Sequence, residues 1–160
     1  HIEGDLDSGL GCVGSMSLDP FIGPVKVIDI SPCQSEISKE QYLSALDKDS
    51  AAGKRILFKT CHYIRYEVFE DEYAYLSVEL VESLSEKGVV LVGLDTPSVD
   101  HVRSKSLDAH HALMANGLVW LENLDLTEVV PGDYTLIALP LKLLELEASP
   151  VRAVLLKGEL

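Results

Sequence analysis

Short apolar runs rich in β-branched residues alternate with polar segments along this chain. Such runs, four to eight residues long and bounded by turn residues, predict buried strands. Four of them are predicted, at 25–30 (VKVIDI), 55–59 (RILFK), 89–95 (VVLVGLD) and 118–122 (LVWLE). Two more strands are predicted at 134–143 and 151–156, after the turn dipeptide Pro131-Gly132. The run at 89–95 is apolar almost throughout, which favours a parallel or mixed sheet covered by helices.

Three helices are predicted between these strands from their capping residues. Ser38 and Gln41 form a capping box that begins a helix reaching about Leu46. Ser77 begins a second helix that extends through Lys87, with Gly88 in the left-handed position that ends it. A third helix is expected from Ser106 to Gly117. The alternation of strands and helices predicts an α/β fold with a mixed central sheet flanked by helices.

Composition limits the class of protein. The chain has 160 residues, of which 47% are hydrophobic, and this predicts one domain with a full core. A net charge of -13 argues against binding to nucleic acid or to anionic lipid. No apolar run approaches the ~18 residues of a membrane span. Three cysteines without C-x-x-C spacing and the lack of a signal-peptide pattern predict a reduced, cytoplasmic protein.

The segment DTPSVD (95–100) follows the buried strand at 89–95 directly. Ligands collect at the carboxyl ends of strands in open α/β sheets. Asp95, Thr96 and Ser98 are therefore candidate substrate-binding residues. The alternative interpretation is an ordinary loop with an Asx-type turn.

His110 and Glu122 are the candidate metal ligands. His110 and His111 point about 100° apart on a helix, so at most one of them faces a site. Glu122 ends the strand at 118–122, and a buried carboxylate needs a partner. A histidine nitrogen and a carboxylate oxygen suit zinc or manganese. Two ligands do not make a site, and a lone histidine on an amphipathic helix is the alternative.

Specific motifs carry a resemblance to a known family. LVGLDTPSVD (91–100), SKSLDAHHALMANGLVWLENLDL (104–126), PGDYTLIALPLKL (131–143) and SPVRAVL (149–155) resemble the cyclase-type metal-dependent hydrolases, most closely the bacterial kynurenine formamidases. The resemblance implies a swivelling β/β/α fold, a divalent metal, and hydrolysis of N-formylkynurenine to kynurenine and formate. It implies that His110 and Glu122 bind metal, with Glu122 also catalytic. Trp120, Tyr63 and Tyr66 are candidates for contact with the substrate ring.

The family's N-terminal motif, H-x-G-T-H-x-D-A-P-x-H, aligns with HIEGDLDSGLG (1–11). His1 and Asp7 match metal ligands of that motif, Asp5 replaces its second histidine, and Gly11 replaces its acid/base histidine. Gly4 and Gly9 also depart from the motif, and a tag remnant is the alternative account of HIEG. The departures predict weak formamidase activity or none. The resemblance also implies a single domain over 1–160 that lacks the N-terminal part of the family domain.

Three functions therefore remain open at the level of sequence. The chain is a formamidase acting on a small-molecule substrate, a non-catalytic family member with a binding or structural role, or a hydrolase of another amide. The resemblance implies a homodimer or higher oligomer, and the apolar residues of LKLLELE (141–147) are a candidate interface. A solvated edge is the alternative interpretation of that segment.

Overall fold

A computed structural model of the protein describes residues 12–46, 53–64 and 67–158. Its centre is a six-stranded sheet made of β1 (Ile22–Asp29), β3 (Arg55–Lys59), β5 (Leu91–Leu94), β6 (Val119–Leu121), β7 (Gly132–Ile137) and β8 (Val154–Leu156). The strands lie in the order β6-β5-β3-β1-β7-β8. The first four strands of that order run parallel, and β7 and β8 are antiparallel to their neighbours. Two short strands, β2 (Glu36–Ile37) and β4 (Tyr75–Leu76), form a separate parallel pair.

Three helices cover one face of the sheet: α1 (Lys39–Ala45), α2 (Val78–Glu86) and α3 (Asp108–Ala115). Their apolar residues share one core with alternate residues of the strands, such as Phe58, Val92 and Trp120. The opposite face packs against irregular segments through a second core that includes Leu57, Leu91 and Leu121. The predicted α/β fold with a mixed sheet is thus confirmed, with all three helices on the same face.

Gly93 in β5 shows how closely the second core is packed. A Cβ atom at this position would lie 2.5 Å from Leu57 Cδ2 and 2.8 Å from Leu124 Cδ1. All four residues of β5 are buried, as its unbroken apolar run predicts. The glycine therefore lets the chain that follows β6 fold back across the middle of the sheet.

Local capping signals predicted the first two helices well. The Ser38 side chain accepts a hydrogen bond from Gln41 N–H, and the Gln41 side chain accepts one from Ser38 N–H. The Ser77 side chain accepts a hydrogen bond from Leu80 N–H at the start of α2. Gly88 follows α2 with a φ of 78°, which glycine adopts at little cost. The capping box and the C-terminal glycine are both confirmed.

The third cap and three strand boundaries were predicted wrongly. Ser106 does not cap α3, because its hydroxyl donates to the Asp108 carboxylate. The strand predicted at 25–30 begins three residues earlier, at Ile22. The strand predicted at 134–143 ends at Ile137, and the last strand covers only Val154–Leu156. Beyond Ile137 the chain leaves the sheet, and its carbonyl groups at 143 and 146 accept hydrogen bonds from the backbone at 14 and 13.

No described helix is both long enough and apolar enough to cross a membrane. The three cysteines are free thiols, with Cys33 buried and Cys12 and Cys61 partly exposed. This agrees with the prediction that the chain carries no disulfide framework.

Candidate active site

Three neighbouring strands end at one edge of the sheet, and polar residues follow each of them. Because β3, β5 and β6 are parallel neighbours, their carboxyl ends lie side by side. Thr60 follows β3, Asp95 follows β5 and Glu122 follows β6. This edge is where open α/β sheets bind their ligands.

Glu122 is held by a turn directly after β6. The next residue, Asn123, has a φ of 56°, a left-handed conformation that asparagine tolerates better than most residues. Asn123 N–H donates to Thr96 O at 2.9 Å, which fixes this turn against the loop after β5. Glu122 Oε1 accepts a hydrogen bond of 3.0 Å from Val99 N–H. Its side chain is only 11% exposed, and this burial raises the pKa of the carboxyl group.

His110 is oriented by Asp100. His110 Nδ1 lies 2.5 Å from Asp100 Oδ2, within a buried pair. Asp100 also accepts hydrogen bonds from the N–H groups of Ala109 and His110, at 3.0 and 3.1 Å, so it caps α3 in place of Ser106. A carboxylate only accepts hydrogen bonds, so the neutral imidazole carries its proton on Nδ1. The lone pair of Nε2 is therefore free to face Glu122.

His110 and Glu122 converge as the sequence predicted. His110 Nε2 lies 3.7 Å from Glu122 Oε1, too far for a hydrogen bond but less than twice a typical ligand bond of about 2.0–2.2 Å. His111 is exposed, so only one of the two adjacent histidines faces the site. A histidine that donates its other nitrogen to a carboxylate is the usual arrangement around a metal. The pair therefore fits two positions of a metal site.

The described part of the chain supplies no third ligand. Within residues 12–46, 53–64 and 67–158, no group of three or more His, Cys, Asp or Glu side chains is arranged to hold a metal ion. The other predicted ligands, His1, Asp5 and Asp7, lie outside the described residues. Val13, near the start of the described chain, lines the same cavity as Glu122.

Asp95 uses its carboxylate to hold the loop after β3. It accepts hydrogen bonds from Thr60 N–H at 2.9 Å and from the Thr60 hydroxyl at 2.6 Å. It also accepts from Cys61 N–H at 3.3 Å and from the Cys61 thiol at 3.5 Å. Burial, reinforced by the charge of Asp95, raises the pKa of the Cys61 thiol to about 11.

The other two predicted substrate-binding residues lie in the same loop. Thr96 Oγ1 donates to Ser98 O at 3.1 Å, and the Ser98 hydroxyl accepts from Asp100 N–H at 3.1 Å. Asp95 and Thr96 line a cavity, whereas Ser98 is not among the residues that line it. The assignment of all three to substrate binding stays a prediction.

Two cavities adjoin this edge. The larger, of about 390 Å³, is lined mainly by residues of 60–64 and 67–73 and by the loop after β5. Among the described residues, its aromatic side chains are Tyr63, Phe69 and Tyr73. The smaller, of about 360 Å³, is lined by residues that include Trp120 and Glu122. The Trp120 ring packs edge-on against His110, with ring centroids 5.4 Å apart. Tyr66, also predicted to contact substrate, lies outside the described residues.

Sequence reasoning missed two residues of this site. Asp100 was seen only as part of a loop, although it caps α3 and orients His110. Tyr73, which lines the larger cavity, directly follows the segment 61–72, for which no structure was predicted. No local signal marked Asp100 as the cap of α3, because it stands eight residues before Asp108, where the helix begins.

Comparison with known proteins identifies relatives that match most of the chain. The Cyclase family model matches residues 1–101 of the chain. Kynurenine formamidase from Bordetella petrii is 41% identical over 157 residues, which cover 97% of this chain and 74% of that protein. Kynurenine formamidase from Paracidovorax citrulli is 44% identical over 144 residues, which cover 89% of this chain and 67% of that protein.

Solved structures share the fold. A protein named as a predicted metal-dependent hydrolase from Bacillus stearothermophilus has a TM-score of 0.74 and 26% identity, covering 87% of this chain and 65% of that one. Isatin hydrolase A from Labrenzia aggregata has a TM-score of 0.76 and 23% identity, covering 95% of this chain and 68% of that one. The latter comparison concerns the fold alone.

Proposed function

The chain belongs to the Cyclase family, and from this premise we propose that it is a metal-dependent hydrolase of N-formyl aryl amides such as N-formylkynurenine. The observation that carries the proposal is the approach of His110 Nε2 to Glu122 Oε1, at 3.7 Å, and Asn123, the residue after Glu122, lines the aromatic cavity. The names of the kynurenine formamidases that match most of the chain support the choice of substrate.

His110 and Glu122 would hold the metal, which we propose is zinc or manganese. A mixed set of imidazole and carboxylate ligands is suited to both ions. Asp7, with His1 and Asp5, is proposed to complete the set. The position of Val13 in the cavity next to Glu122 supports this, because Asp7 is only six residues from Val13 in sequence. When bound, such an ion lowers the pKa of a water molecule and polarises a carbonyl group.

The described residues perform the remaining tasks. Asp100 keeps the Nε2 lone pair of His110 directed at the site, and Val99 N–H holds one oxygen of Glu122. Glu122, the proposed catalytic carboxylate, accepts a proton from the attacking water. The ring of the substrate occupies the cavity lined by Tyr63, Phe69 and Tyr73, while Thr96 and Ser98 hold the loop that borders it.

The test is hydrolysis of N-formylkynurenine by the purified chain after loading with zinc or manganese. We expect kynurenine and formate in equal amounts, at a low rate because of the departures at Asp5 and Gly11. Glu122→Gln is expected to lower kcat by about 10²–10⁴-fold, the usual contribution of a positioned acid or base. The exposed neighbour His111, changed to Ala, should leave the rate unchanged. A metal-loaded chain that releases no kynurenine, or that cleaves only a different amide, would contradict the proposal.

Two further properties are part of the proposal. Three free cysteines support a reducing, cytoplasmic compartment. A homodimer or higher oligomer is supported by the exposed apolar side chains of Leu141, Leu144 and Leu146, which are 53–63% exposed. Sedimentation of the purified protein tests the oligomer, and a monomer at all concentrations would contradict it.

A further inference from the structure

Asn123 lies where the two cavities of the candidate site meet. It lines the larger cavity, which holds the aromatic side chains, and also the smaller cavity, which Glu122 lines. Of the described lining residues, Asn123 is the one that the two cavities share. It also directly follows Glu122, the proposed catalytic carboxylate, in sequence. A ligand that extends from one cavity into the other therefore passes beside Asn123.

The backbone at Asn123 is fixed without help from its side chain. Its N–H group donates to Thr96 O at 2.9 Å, and the N–H group of the next residue, Leu124, donates to Leu94 O at 3.1 Å. The φ of 56° at Asn123 is left-handed, and glycine is the residue that adopts this conformation at least cost. The turn alone therefore does not require an amide at this position.

The amide of Asn123 is available to a ligand. The residue is exposed, and within the described part of the chain its side chain has no hydrogen-bond partner. Its neighbours at this edge are already engaged, since Asp95 accepts from Thr60 N–H and the Thr96 hydroxyl donates to Ser98 O. An asparagine side chain carries two N–H donors. A carbonyl oxygen, which only accepts hydrogen bonds, is the complementary ligand group.

We propose that the Asn123 amide donates a hydrogen bond to a carbonyl group attached to the substrate ring, ortho to the formamide nitrogen. The inference rests on the proposed function, in which the ring occupies the larger cavity and Glu122 acts beside the formyl group. An ortho substituent is the part of the ring closest to the formamide, as Asn123 is the residue next to Glu122. The aryl ketone of N-formylkynurenine is such a group. Asn123 is thus a substrate-binding residue that selects N-formyl aryl amides with an ortho carbonyl.

The test compares two substrates that differ only in this carbonyl oxygen, ortho-acetylformanilide and ortho-ethylformanilide. Asn123→Gly is expected to lower kcat/KM for the acetyl substrate by about 2–10-fold, the usual contribution of one hydrogen bond between neutral groups. The loss should appear in KM, because the ketone is bound equally before and during the reaction. The ethyl substrate should be unaffected. The ratio of the two kcat/KM values is the readout, since a purely structural role would not change it.

Two controls separate recognition from folding. Glycine adopts the left-handed conformation of Asn123 at little cost, and a melting temperature close to that of the wild type checks that the fold is intact. Asn116→Gly makes the same exchange at the end of α3, at a residue that lines neither cavity, and should leave the ratio unchanged. If Asn123→Gly also leaves the ratio unchanged, the inference is overturned while the proposed function stands. A wild-type chain that hydrolyses neither substrate contradicts the proposed function, and the inference with it.

Binding gives a readout that does not depend on turnover. Kynurenine keeps the ortho ketone after the formyl group has left, and calorimetry measures its affinity for the metal-free protein. Asn123→Gly should weaken this binding by about 2–10-fold, whereas Asn116→Gly should not change it. Unchanged affinity in Asn123→Gly would contradict a contact between the amide and the ketone.

Discussion

Asp95 and Glu122 occupy equivalent places in the fold and have opposite environments. Each follows directly on a buried parallel strand, and their strands are neighbours in the sheet. Asp95 accepts hydrogen bonds from two backbone N–H groups, a hydroxyl and a thiol. From the described residues, Glu122 accepts one hydrogen bond, from Val99 N–H, and it faces His110 Nε2.

The difference teaches what distinguishes a structural carboxylate from one that is available for chemistry. Burial alone does not, since both side chains are largely buried. A buried charge is costly unless it is paired or hydrogen-bonded. Asp95 meets that requirement through described partners, whereas the described residues give Glu122 a single hydrogen bond and burial raises its pKa. Glu122 is therefore the candidate metal ligand of the two.

Asp95→Asn should give the largest loss of stability. The amide would place N–H donors against those of Thr60 and Cys61, and buried donors would lose their acceptor. We expect the free energy of unfolding to fall by about 2–4 kcal/mol. Urea unfolding measures the loss. Asp108→Asn is the control, because it makes the same change at an exposed aspartate, the first residue of α3. An unchanged urea midpoint would show that the hydrogen bonds of Asp95 do not stabilise the fold.

The reactivity of the Cys61 thiol tests its burial together with its contact with Asp95. With a pKa of about 11, little thiolate exists at pH 8. We therefore expect iodoacetamide to alkylate Cys61 about 100-fold more slowly than it alkylates the thiol of glutathione, and the rate should still be rising at pH 10. Peptide mass spectrometry separates Cys61 from Cys12 and Cys33. Fast alkylation at pH 7 would contradict the buried Asp95–Cys61 contact.

Asp100→Asn should weaken metal binding without removing a ligand. The amide can turn its NH₂ group toward His110 Nδ1, and the proton then moves to Nε2, the nitrogen that faces Glu122. Loss of such an orienting partner typically lowers metal affinity by about 10–100-fold. Competition with a chelator measures the affinity for zinc. Full affinity in the variant would mean that His110 is oriented by something other than Asp100.

Glu122→Gln should have the smallest effect on stability, and in the opposite direction to Asp95→Asn. The folded-state pKa of Glu122 is raised, so stability falls as the pH rises from the unfolded-state pKa to the folded-state pKa, and the full cost of the carboxylate remains at higher pH. In metal-free protein at pH 7, glutamine avoids this cost and still accepts from Val99 N–H. The melting temperature should therefore rise slightly, and the gain should vanish below about pH 4. A lower melting temperature at pH 7 would place Glu122 with Asp95 as a structural residue.

Local signals in the sequence predicted much of the fold. The capping box of Ser38 and Gln41, the Ser77 cap and the strand Arg55–Lys59 depend on neighbours only a few residues away. The end of β7 at Ile137 could not be predicted in this way. It depends on hydrogen bonds between the backbone at 13–14 and the carbonyl groups at 143 and 146, more than a hundred residues along the chain.

In the candidate site, too, the sequence does not reveal contacts between distant parts of the chain. The sequence singled out His110, on a predicted helix, and Glu122, at the end of a predicted buried strand, as candidate ligands, and this assignment stays a prediction. The role of Asp100 depends on a tertiary contact with the first residues of α3. This contact leaves no periodic or spacing signal. The predicted ligands His1, Asp5 and Asp7 stay predictions.

The most direct test of the account is the metal content of the purified chain after incubation with zinc and manganese and removal of excess ion. We predict that the wild-type protein retains an ion, that His110→Ala and Glu122→Ala each lose it, and that His111→Ala keeps it. Circular dichroism confirms that the variants remain folded. If the folded wild-type chain retains no ion, or if His110→Ala and Glu122→Ala retain it as well as the wild type does, then this pair is not the metal site.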